Sequence, residues 1–298
     1  MIKEIVSKRQ IDVEPLPLSI DKKLTKRNIK PFPNTSFLMM VSGSPGSGKS
    51  TMICSMVCGR RRRVRDKTTG RKKLIDAQVY RKVFDRVFLM IPETSLQSIS
   101  ERHPFRRHER VYTDISIDIL DDIEEQCKEV KEDGEYSLLV IDDFGALLKR
   151  RAIQEKLQDI LTRHRHLHLS IIFATQFLIQ LPLDLRKLIP YYIIYRPKSK
   201  KEIDSFMSEI NIMSKPEYEA VFQYVYDKKH NFLFLNMKDG TMYKNNNRII
   251  LDDINIEDQH NANEKTEENE IEHIKEEHKK KKRKKKKRKR KKHHEEIK

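Results

Sequence analysis

The stretch Val41–Thr51 reads V-S-G-S-P-G-S-G-K-S-T, and the interpretation of the chain starts from it. It fits the pattern G-x-x-x-x-G-K-[ST], with Gly43, Gly48, Lys49 and Ser50 at the four fixed positions. A pattern with four fixed positions is specific enough to predict a local structure as well as a chemistry.

The flanks of the motif supply the context that such a loop needs. Phe37–Val41 is a short apolar run that fits a buried strand. Thr51–Val57 contains neither Gly nor Pro and favours a helix. A simple Gly/Ser turn between a strand and a helix is the alternative, which the agreement of both flanks with the fixed positions disfavours.

The residue types of the motif suit a nucleoside triphosphate. Glycines let the loop turn its backbone N–H groups toward phosphate oxygens, and the helix N-terminus adds a partial positive charge there. Lys49 is expected to reach the β- and γ-phosphates, and Ser50 to offer its hydroxyl to Mg²⁺. The sequence thus predicts a phosphate-binding loop (P-loop) for ATP and Mg²⁺. Its predicted nucleotide-binding residues are Gly43, Ser44, Pro45, Gly46, Ser47, Gly48, Lys49, Ser50 and Thr51.

Length, charge and cysteine content limit the class of protein. The 298 residues are enough for one sizeable α/β domain with extensions, and the net charge of +17 comes mostly from the unbroken run of 14 Lys and Arg at Lys279–Lys292. Cys54, Cys58 and Cys127 are too few and too poorly spaced for a disulfide framework or a zinc site. Met1–Gln10 lacks the apolar core of a signal peptide, and no apolar run approaches the ~20 residues of a membrane span. We therefore expect a soluble, intracellular protein.

Composition divides the chain into three predicted regions. Residues 1–35 are polar and interrupted by prolines, which predicts an N-terminal arm. Residues 36–250 form the predicted P-loop ATPase domain. Residues 251–298 are acidic and Asn-rich and then basic, which predicts a disordered tail. The lysine run is interpreted as a nonspecific nucleic-acid anchor, with a nuclear import signal as the alternative.

A second basic segment follows the P-loop helix. Gly59–Lys73 carries nine cations in fifteen residues, so it is not a core element. It is interpreted as a loop or helix end that contacts nucleic-acid phosphates, or else as a solvated insertion between a helix and a strand.

Two carboxylates follow a predicted buried strand. Ser137–Phe144 reads S-L-L-V-I-D-D-F, and its run of apolar residues suits a strand that is buried on both faces of a parallel sheet. Asp142 and Asp143 end this strand at the edge where open α/β sheets bind their ligands. Asp142 is expected to hold Mg²⁺, and Asp143 to orient or deprotonate the attacking water. The alternative is that the pair caps the next helix.

A second polar pair ends another predicted strand. Thr175 and Gln176 follow Leu169–Ala174, which places Gln176 within reach of a γ-phosphate or the attacking water, although the pair would also suit a helix start. The histidines at 164, 166 and 168 alternate without acidic or thiol neighbours, so polar residues at the surface are favoured over a zinc site.

Strands that alternate with helical stretches predict a doubly wound, mainly parallel α/β sheet of the additional-strand, RecA-like type, with a late antiparallel edge.

Together these motifs resemble a known family. G-S-P-G-S-G-K-S-T, L-L-V-I-D-D-F, R-H-L-H-L-S-I-I-F-A-T-Q and L-P-L-D-L-R, spread over residues 35–240, are similar to the poxvirus-type DNA-packaging ATPases of large DNA viruses, within the FtsK–HerA superfamily. The first motif is widespread among ATPases, whereas the R-H-x-x-x-S-I-I-x-x-x-Q block is much more specific. The lysine tail lies outside the resemblance.

The resemblance implies an ATP-driven ring that packages double-stranded DNA into a preformed capsid. By the family pattern Lys49 and Ser50 bind nucleotide and Mg²⁺, Asp142 and Asp143 are the acidic pair, and Gln176 is the sensor of the γ-phosphate. Arg165 is the expected trans-acting arginine finger, and Arg163 is the second choice; both belong to the R-H-R-H stretch that begins at Arg163. Many relatives carry Glu at the second acidic position, so the shorter Asp143 must sit closer to the water.

The resemblance also implies partners and a location. The expected partners are duplex DNA of any sequence, further copies of the chain and a capsid or portal component. The expected location is the viral factory or the virion, with the nucleus as an alternative. Two other functions stay open: a nucleotide-gated DNA-binding adaptor and a recombination-type helicase of the same ATPase branch.

Overall fold

The structure of the chain is a computed structural model. The residues that the structure describes are 22–26, 29–59, 61–65, 70, 72–76 and 79–251. The chain divides into two units between Ile250 and Leu251, and every element described below belongs to the first. The predictions for residues 1–21 and for the lysine tail lie outside the described residues.

Eleven strands and seven helices follow one another along the described part of the chain. The strands are β1 (Leu38–Ser42), β2 (Arg61–Arg65), β3 (Lys72–Asp76), β4 (Arg86–Met90), β5 (Val111–Tyr112), β6 (Ser137–Asp142), β7 (Leu169–Thr175), β8 (Tyr191–Tyr195), β9 (Phe232–Asn236), β10 (Thr241–Lys244) and β11 (Asn247–Ile249). The helices are α1 (Lys49–Cys58), α2 (Glu93–Ser98), α3 (Ile117–Glu132), α4 (Arg151–Arg163), α5 (Leu183–Arg186), α6 (Lys200–Ile210) and α7 (Lys215–Val225).

Nine of the strands form one sheet in the order β11-β10-β9-β8-β1-β7-β6-β4-β5. The neighbours from β8 to β5 pair in parallel, whereas β9, β10 and β11 add an antiparallel edge. Strand β7 lies between the P-loop strand β1 and the Asp142 strand β6, which is the additional strand of the predicted fold class. The prediction of a doubly wound, mainly parallel α/β sheet is therefore confirmed.

Apolar sequence explains why the central strands sit where they do. Every residue of β1, β6, β7 and β8 is buried, as a continuous apolar run requires when helices cover both faces of a sheet. On one face Met39 and Val41 join a core cluster with Ile53 of α1. Leu120 of α3 and Leu157 of α4 are also buried but lie outside that cluster. Helices therefore shield the strands from water on both sides.

The basic segment Gly59–Lys73 was predicted to be a loop or helix end, or else a solvated insertion between a helix and a strand. It contributes to an antiparallel hairpin of β2 and β3, a separate two-stranded sheet that follows α1 and precedes β4. The prediction of a loop or helix end was therefore wrong, whereas the position between a helix and a strand agrees with the alternative. Further along the chain a short 3₁₀ turn precedes α4, which starts only after Arg150.

Part of the predicted N-terminal arm packs against the domain. Leu24 and Phe32 are buried in the core cluster, and the hydroxyl of the buried Tyr80 donates a hydrogen bond to the carbonyl of Pro33 at 2.7 Å. Among the helices that the structure describes, none is both long enough and apolar enough to cross a membrane.

Candidate nucleotide-binding and hydrolysis site

The register of the parallel strands brings the predicted site residues to one edge of the sheet. Ser42 of β1 is level with Thr175 of β7, and Asp142 of β6 is level with Ala174. The chain is fastened beyond the strand ends as well, since the Gly43 N–H donates to the Thr175 carbonyl at 3.1 Å. The P-loop, the acidic pair and Gln176 therefore leave the sheet side by side.

The P-loop needs glycine where other parts of the chain come close. A Cβ on Gly43 would lie 2.7 Å from both Ser47 Oγ and Tyr195 Cβ, which is closer than atoms can pack. Gly48, at the N-terminus of α1, has a φ of 111°, a conformation that strains residues with a side chain. These two fixed glycines of the motif thus serve the packing and the turn of the loop.

Lys49 lies within this loop and close to the acidic pair. Its Nζ donates a hydrogen bond to the Gly43 carbonyl at 2.6 Å. Burial lowers the pKa of Lys49, while the charges of Asp142 and Asp143 raise it. The ammonium is therefore bound to the loop backbone and lies within the electrostatic reach of two carboxylates, where phosphate charge would be neutralised.

Ser50 and Asp142 meet although they are far apart in sequence. The Ser50 hydroxyl donates to Asp142 Oδ2 at 3.3 Å. Burial raises the pKa of Asp142 to about 6; Lys49 lowers it, the neighbouring Asp143 raises it and the Ser50 hydrogen bond lowers it. A hydroxyl and a buried carboxylate in contact are the oxygen ligands that Mg²⁺ accepts beside a triphosphate, so these residues fit the predicted metal.

Unpartnered hydroxyls add to this fit. Ser47 Oγ and Thr175 Oγ1 are buried and have no hydrogen-bond partner. Buried polar atoms normally have a partner, so two orphans flanking Gly43 suggest that a polar ligand completes the site. Within the described residues no group of three or more His, Cys, Asp or Glu could hold a metal by itself, the three alternating histidines included.

Gln176 binds the second aspartate. Its Nε2 donates to both carboxylate oxygens of Asp143, at 2.8 and 2.9 Å. Asp143 itself has a φ of 62°, and its N–H donates to the Ala174 carbonyl at 3.1 Å. The pair therefore forms one unit above the ends of β6 and β7, where the attacking water is expected.

A residue that the sequence analysis did not identify supports this unit. Gln180 Oε1 accepts the backbone N–H of Gln176 at 2.8 Å. The Gln180 side chain also lies over Gly145, where a Cβ would be only 1.9 Å from Gln180 Nε2. No sequence motif marks Gln180, because its role depends on the approach of two loops that follow different strands.

Two further side chains contact the P-loop from the β8 side. The Tyr195 hydroxyl donates to the Gly48 carbonyl at 3.5 Å, and His230 Nδ1 donates to the Ser47 carbonyl at 2.9 Å. Neither residue could be predicted from a sequence motif, since each contact joins residues more than 140 positions apart.

The candidate arginine fingers lie away from the site of their own chain. Arg165 is in the turn before β7, whereas Gln176 follows the last residue of that strand. Seven residues of strand separate the two ends by about 20 Å. Arg163 forms ion pairs with Asp159 and, at 3.3 Å, with Glu124. Neither arginine joins Lys49 and Asp142 within one copy of the chain.

Comparison with solved structures finds viral genome-packaging proteins and the ATPase protein EssC. The chain is similar to the DNA-packaging ATPase B204 of Sulfolobus Turreted Icosahedral Virus, with 14% identity, a TM-score of 0.48, and coverage of 71% of this chain and 97% of B204. The genome packaging NTPase B204 of Sulfolobus turreted icosahedral virus 2, in complex with ATP-γ-S, shows 16% identity, a TM-score of 0.45 and coverage of 72% and 98%. EssC of Geobacillus thermodenitrificans shows 13% identity, a TM-score of 0.44 and coverage of 78% and 43%.

Comparison of sequences gives a family. No curated protein matches the chain. The family model described as "Poxvirus A32 protein" matches residues 105–282, which is more than half of the chain and includes the acidic pair, the β7 strand and Gln176. The predicted resemblance is thereby confirmed, and the chain belongs to the poxvirus A32 protein family.

Proposed function

We propose that this protein is an ATPase that drives double-stranded DNA into a preformed viral capsid. The observation that carries the proposal is the 3.3 Å contact of Ser50 with Asp142, with Lys49 beside both aspartates. This arrangement joins a phosphate-binding loop to a carboxylate pair at one edge of a parallel sheet, as nucleoside triphosphate hydrolysis requires. Membership of the poxvirus A32 family supports the packaging role.

Each polar group of the site has a role in hydrolysis. Lys49 Nζ exchanges the Gly43 carbonyl for phosphate oxygens, and Ser50 and Asp142 would hold Mg²⁺. When bound, the metal offsets charge on the phosphate oxygens. Asp143 accepts a proton from the attacking water, and Gln176 orients Asp143 and that water through its amide.

The DNA contacts are proposed to be independent of sequence. A packaging motor must accept every base, so its cations should contact phosphates and not base edges. The β2–β3 hairpin is the proposed contact within the described residues, because its segment holds nine cations in residues 59–73. Lys279–Lys292 is proposed as a second, nonspecific anchor.

Assembly into a ring completes the proposal. Arg165 of one copy would reach the site of a neighbouring copy and stabilise charge on the transferring phosphoryl group. The ring would act on a capsid or portal component where virions assemble, in the viral factory or on the particle.

The test is ATP turnover with and without long duplex DNA at low salt. We expect DNA to stimulate turnover, and Lys49→Ala to abolish both ATP binding and turnover. Asp143→Asn should retain ATP binding but slow turnover by roughly 10²–10⁴-fold, since it removes the proton acceptor while Asn tolerates the left-handed backbone. Turnover of Lys49→Ala at the wild-type rate would refute the assignment of the ATP site. A wild-type turnover rate that DNA does not change would refute the proposed DNA-translocating function.

Turnover speed and strand separation distinguish this function from the two alternatives. A nucleotide-gated adaptor would bind ATP tightly and hydrolyse it slowly, whereas a motor turns over continuously. A recombination-type helicase would separate the strands of a forked duplex, which a packaging motor leaves paired.

A further inference from the structure

The direction in which a nucleotide must lie follows from the sheet order. Asp142, Asp143 and Gln176 stand at the ends of β6 and β7, on one side of the P-loop strand β1. The γ-phosphate belongs there, because that is where the metal and water ligands are. The rest of the nucleotide must then leave the P-loop on the other side of β1, toward β8.

A cleft of about 750 Å³ lies on the β8 side. It is lined by Ser44–Ser47 of the P-loop, by Tyr195–Lys198 at the end of β8 and by Tyr226–Asn231, the loop between α7 and β9. Pockets for small ligands and cofactors have volumes of about 300–1,000 Å³, so the cleft has room for a base and a sugar.

The outer walls of the cleft are positively charged. Arg196, Lys198, Lys228 and Lys229 are exposed and line it. Asp227 is the one carboxylate among the described residues that line the cleft. It forms an ion pair with Lys244 at 2.9 Å and accepts a hydrogen bond from the Asn231 amide. The cations therefore face the cleft largely uncompensated, and they suit an α-phosphate and the π-face of a base.

The loop 226–231 is tied to the P-loop itself. His230 has a φ of 67°, a conformation that costs free energy for a residue with a side chain, and it holds the Ser47 carbonyl at 2.9 Å. A Cβ on Gly48 would lie 3.6 Å from the Tyr195 hydroxyl and 3.7 Å from His230 Nδ1. Both walls therefore contact the phosphate-binding backbone, so their distance from a bound triphosphate is fixed.

We propose that this cleft binds the nucleoside half of the nucleotide, with the cationic loop 226–231 as its outer wall and His230 as the residue that positions the wall against the P-loop. The inference rests on the proposed function, since it assigns a subsite of the same ATP site. The base stacks between the P-loop side and the cations, and the α-phosphate lies near Lys228 and Lys229.

A tryptophan reporter tests the location. The chain contains no Trp, so Lys198→Trp places a single fluorophore at the cleft. We expect ATP and AMP, which carry a base, to quench its emission, and inorganic tripolyphosphate, which binds the P-loop without a base, to leave it unchanged. Emission that responds equally to tripolyphosphate, or that ignores ATP while ATP binds, would refute the subsite.

A charge-removal pair tests the contribution to affinity. Lys228→Ser/Lys229→Ser should weaken ATP and AMP binding by about tenfold, which is ~1.4 kcal/mol for two charge-assisted contacts. The matched control, Lys131→Ser/Lys187→Ser, removes the same charge at exposed sites outside the cleft. Equal ATP affinities of cleft variant and control would refute the proposal.

Two further outcomes separate this inference from its premises. Lys49→Ala should lose ATP and tripolyphosphate together, because Lys49 is assigned to the β- and γ-phosphates, and failure of the wild-type protein to bind either of the two would overturn the ATP site itself. A reporter emission that responds to duplex DNA and not to ATP would assign the cleft to nucleic acid and overturn the nucleoside subsite.

Discussion

Asp143 shows how much local strain the site accepts to direct one carboxylate. Its φ of 62° is a left-handed conformation that costs most L-residues about 1–2 kcal/mol and that Asp and Asn tolerate best. The turn sends the chain away from β6 so that both Asp143 oxygens meet the Gln176 amide. Many relatives are expected to carry Glu here; the short side chain of Asp143 is compensated in this chain by a fixed partner.

The Gln180–Gly145 contact gives the sharpest prediction at the scale of single residues. Gly145→Ala would put a Cβ 1.9 Å from Gln180 Nε2 and displace the side chain that accepts the Gln176 N–H. Loss of one such hydrogen bond is worth about 0.5–1.5 kcal/mol, so we expect kcat to fall by up to about tenfold with little change in ATP affinity.

A double-mutant cycle provides the control. In a Gln180→Ala background there is no side chain to displace, so adding Gly145→Ala should cause little further loss of kcat. Independent, multiplicative losses would show that the two residues do not act on Gln176 together.

His164 gives a prediction for pH. Burial lowers its pKa to about 4, aided by the charges of Arg165 and Lys238 and opposed by the carbonyl of Leu161 that accepts from Nδ1 at 2.7 Å. The unfolded chain binds this proton near the ordinary His value of about 6.5, so protonation favours unfolding. The contribution of neutral His164 to stability is fully present above pH 6.5. The free energy of unfolding decreases as the pH falls toward 4, by about 2 kcal/mol between pH 7 and pH 5.

Urea unfolding at pH 7 and pH 5 checks this. The free energy of unfolding of His164→Gln should change less over that range than that of the wild-type protein, by about the same 2 kcal/mol. Parallel pH profiles would show that His164 keeps its ordinary titration.

At the scale of elements, the sequence predicts best where burial dictates the pattern. The apolar runs of β1 and β6 are short and uninterrupted, which favours strands buried on both faces, and every one of their residues is buried. The β2–β3 hairpin escaped prediction because its two strands pair only with each other and carry no apolar alternation. Without an alternation of apolar and polar residues, a sequence shows no period of two from which a strand could be predicted.

The residues of the site also fall into those that the sequence predicts and those that it does not. The P-loop and the acidic pair follow from local patterns and from the rule that parallel strands end at one edge. Gln180, Tyr195 and His230 do not, because each is selected by a neighbour distant in the chain. Gln180 needs Gly145 beneath it, and His230 reaches Ser47 across 183 positions.

Under the proposed function, the hairpin and the tail should make separable contributions to DNA binding. Replacing residues 60–77 by a short Gly/Ser linker removes nine cations and should abolish DNA stimulation while DNA-free turnover persists.

Deleting residues 279–298 should flatten the salt dependence of DNA affinity and leave the ATPase intact. The slope of log affinity against log salt concentration should change by about 0.9 for each lost phosphate contact.

Measurements of turnover and of DNA affinity from 50 to about 200 mM salt distinguish the two segments. Full DNA stimulation without the hairpin would exclude it as the coupling element. Loss of ATPase activity on deletion of the tail would contradict its role as an anchor.

At the scale of the whole molecule, the proposed trans-acting role of Arg165 predicts cooperation between copies. Arg165→Ala and Lys49→Ala should each be inactive alone. Mixed in equal amounts, about one site in four pairs an intact Lys49 with an intact Arg165 from its neighbour, so turnover should return. Arg163→Ala is the control, because Arg163 is bound to Asp159 and Glu124, and it should retain turnover. A mixture without activity would refute the trans arrangement.

Strand β7 is hydrogen-bonded on both sides, to β1 and to β6, and all seven of its residues are buried. Gln176 follows one of its ends, and the turn with Arg165 precedes the other. Under the proposed assignment, each copy contacts its own nucleotide through Gln176 and its neighbour's nucleotide through Arg165, at opposite ends of one rigid strand. A displacement at one end of β7 would therefore move the other end as well. The order in which successive copies hydrolyse ATP would then be set by the displacement of this strand.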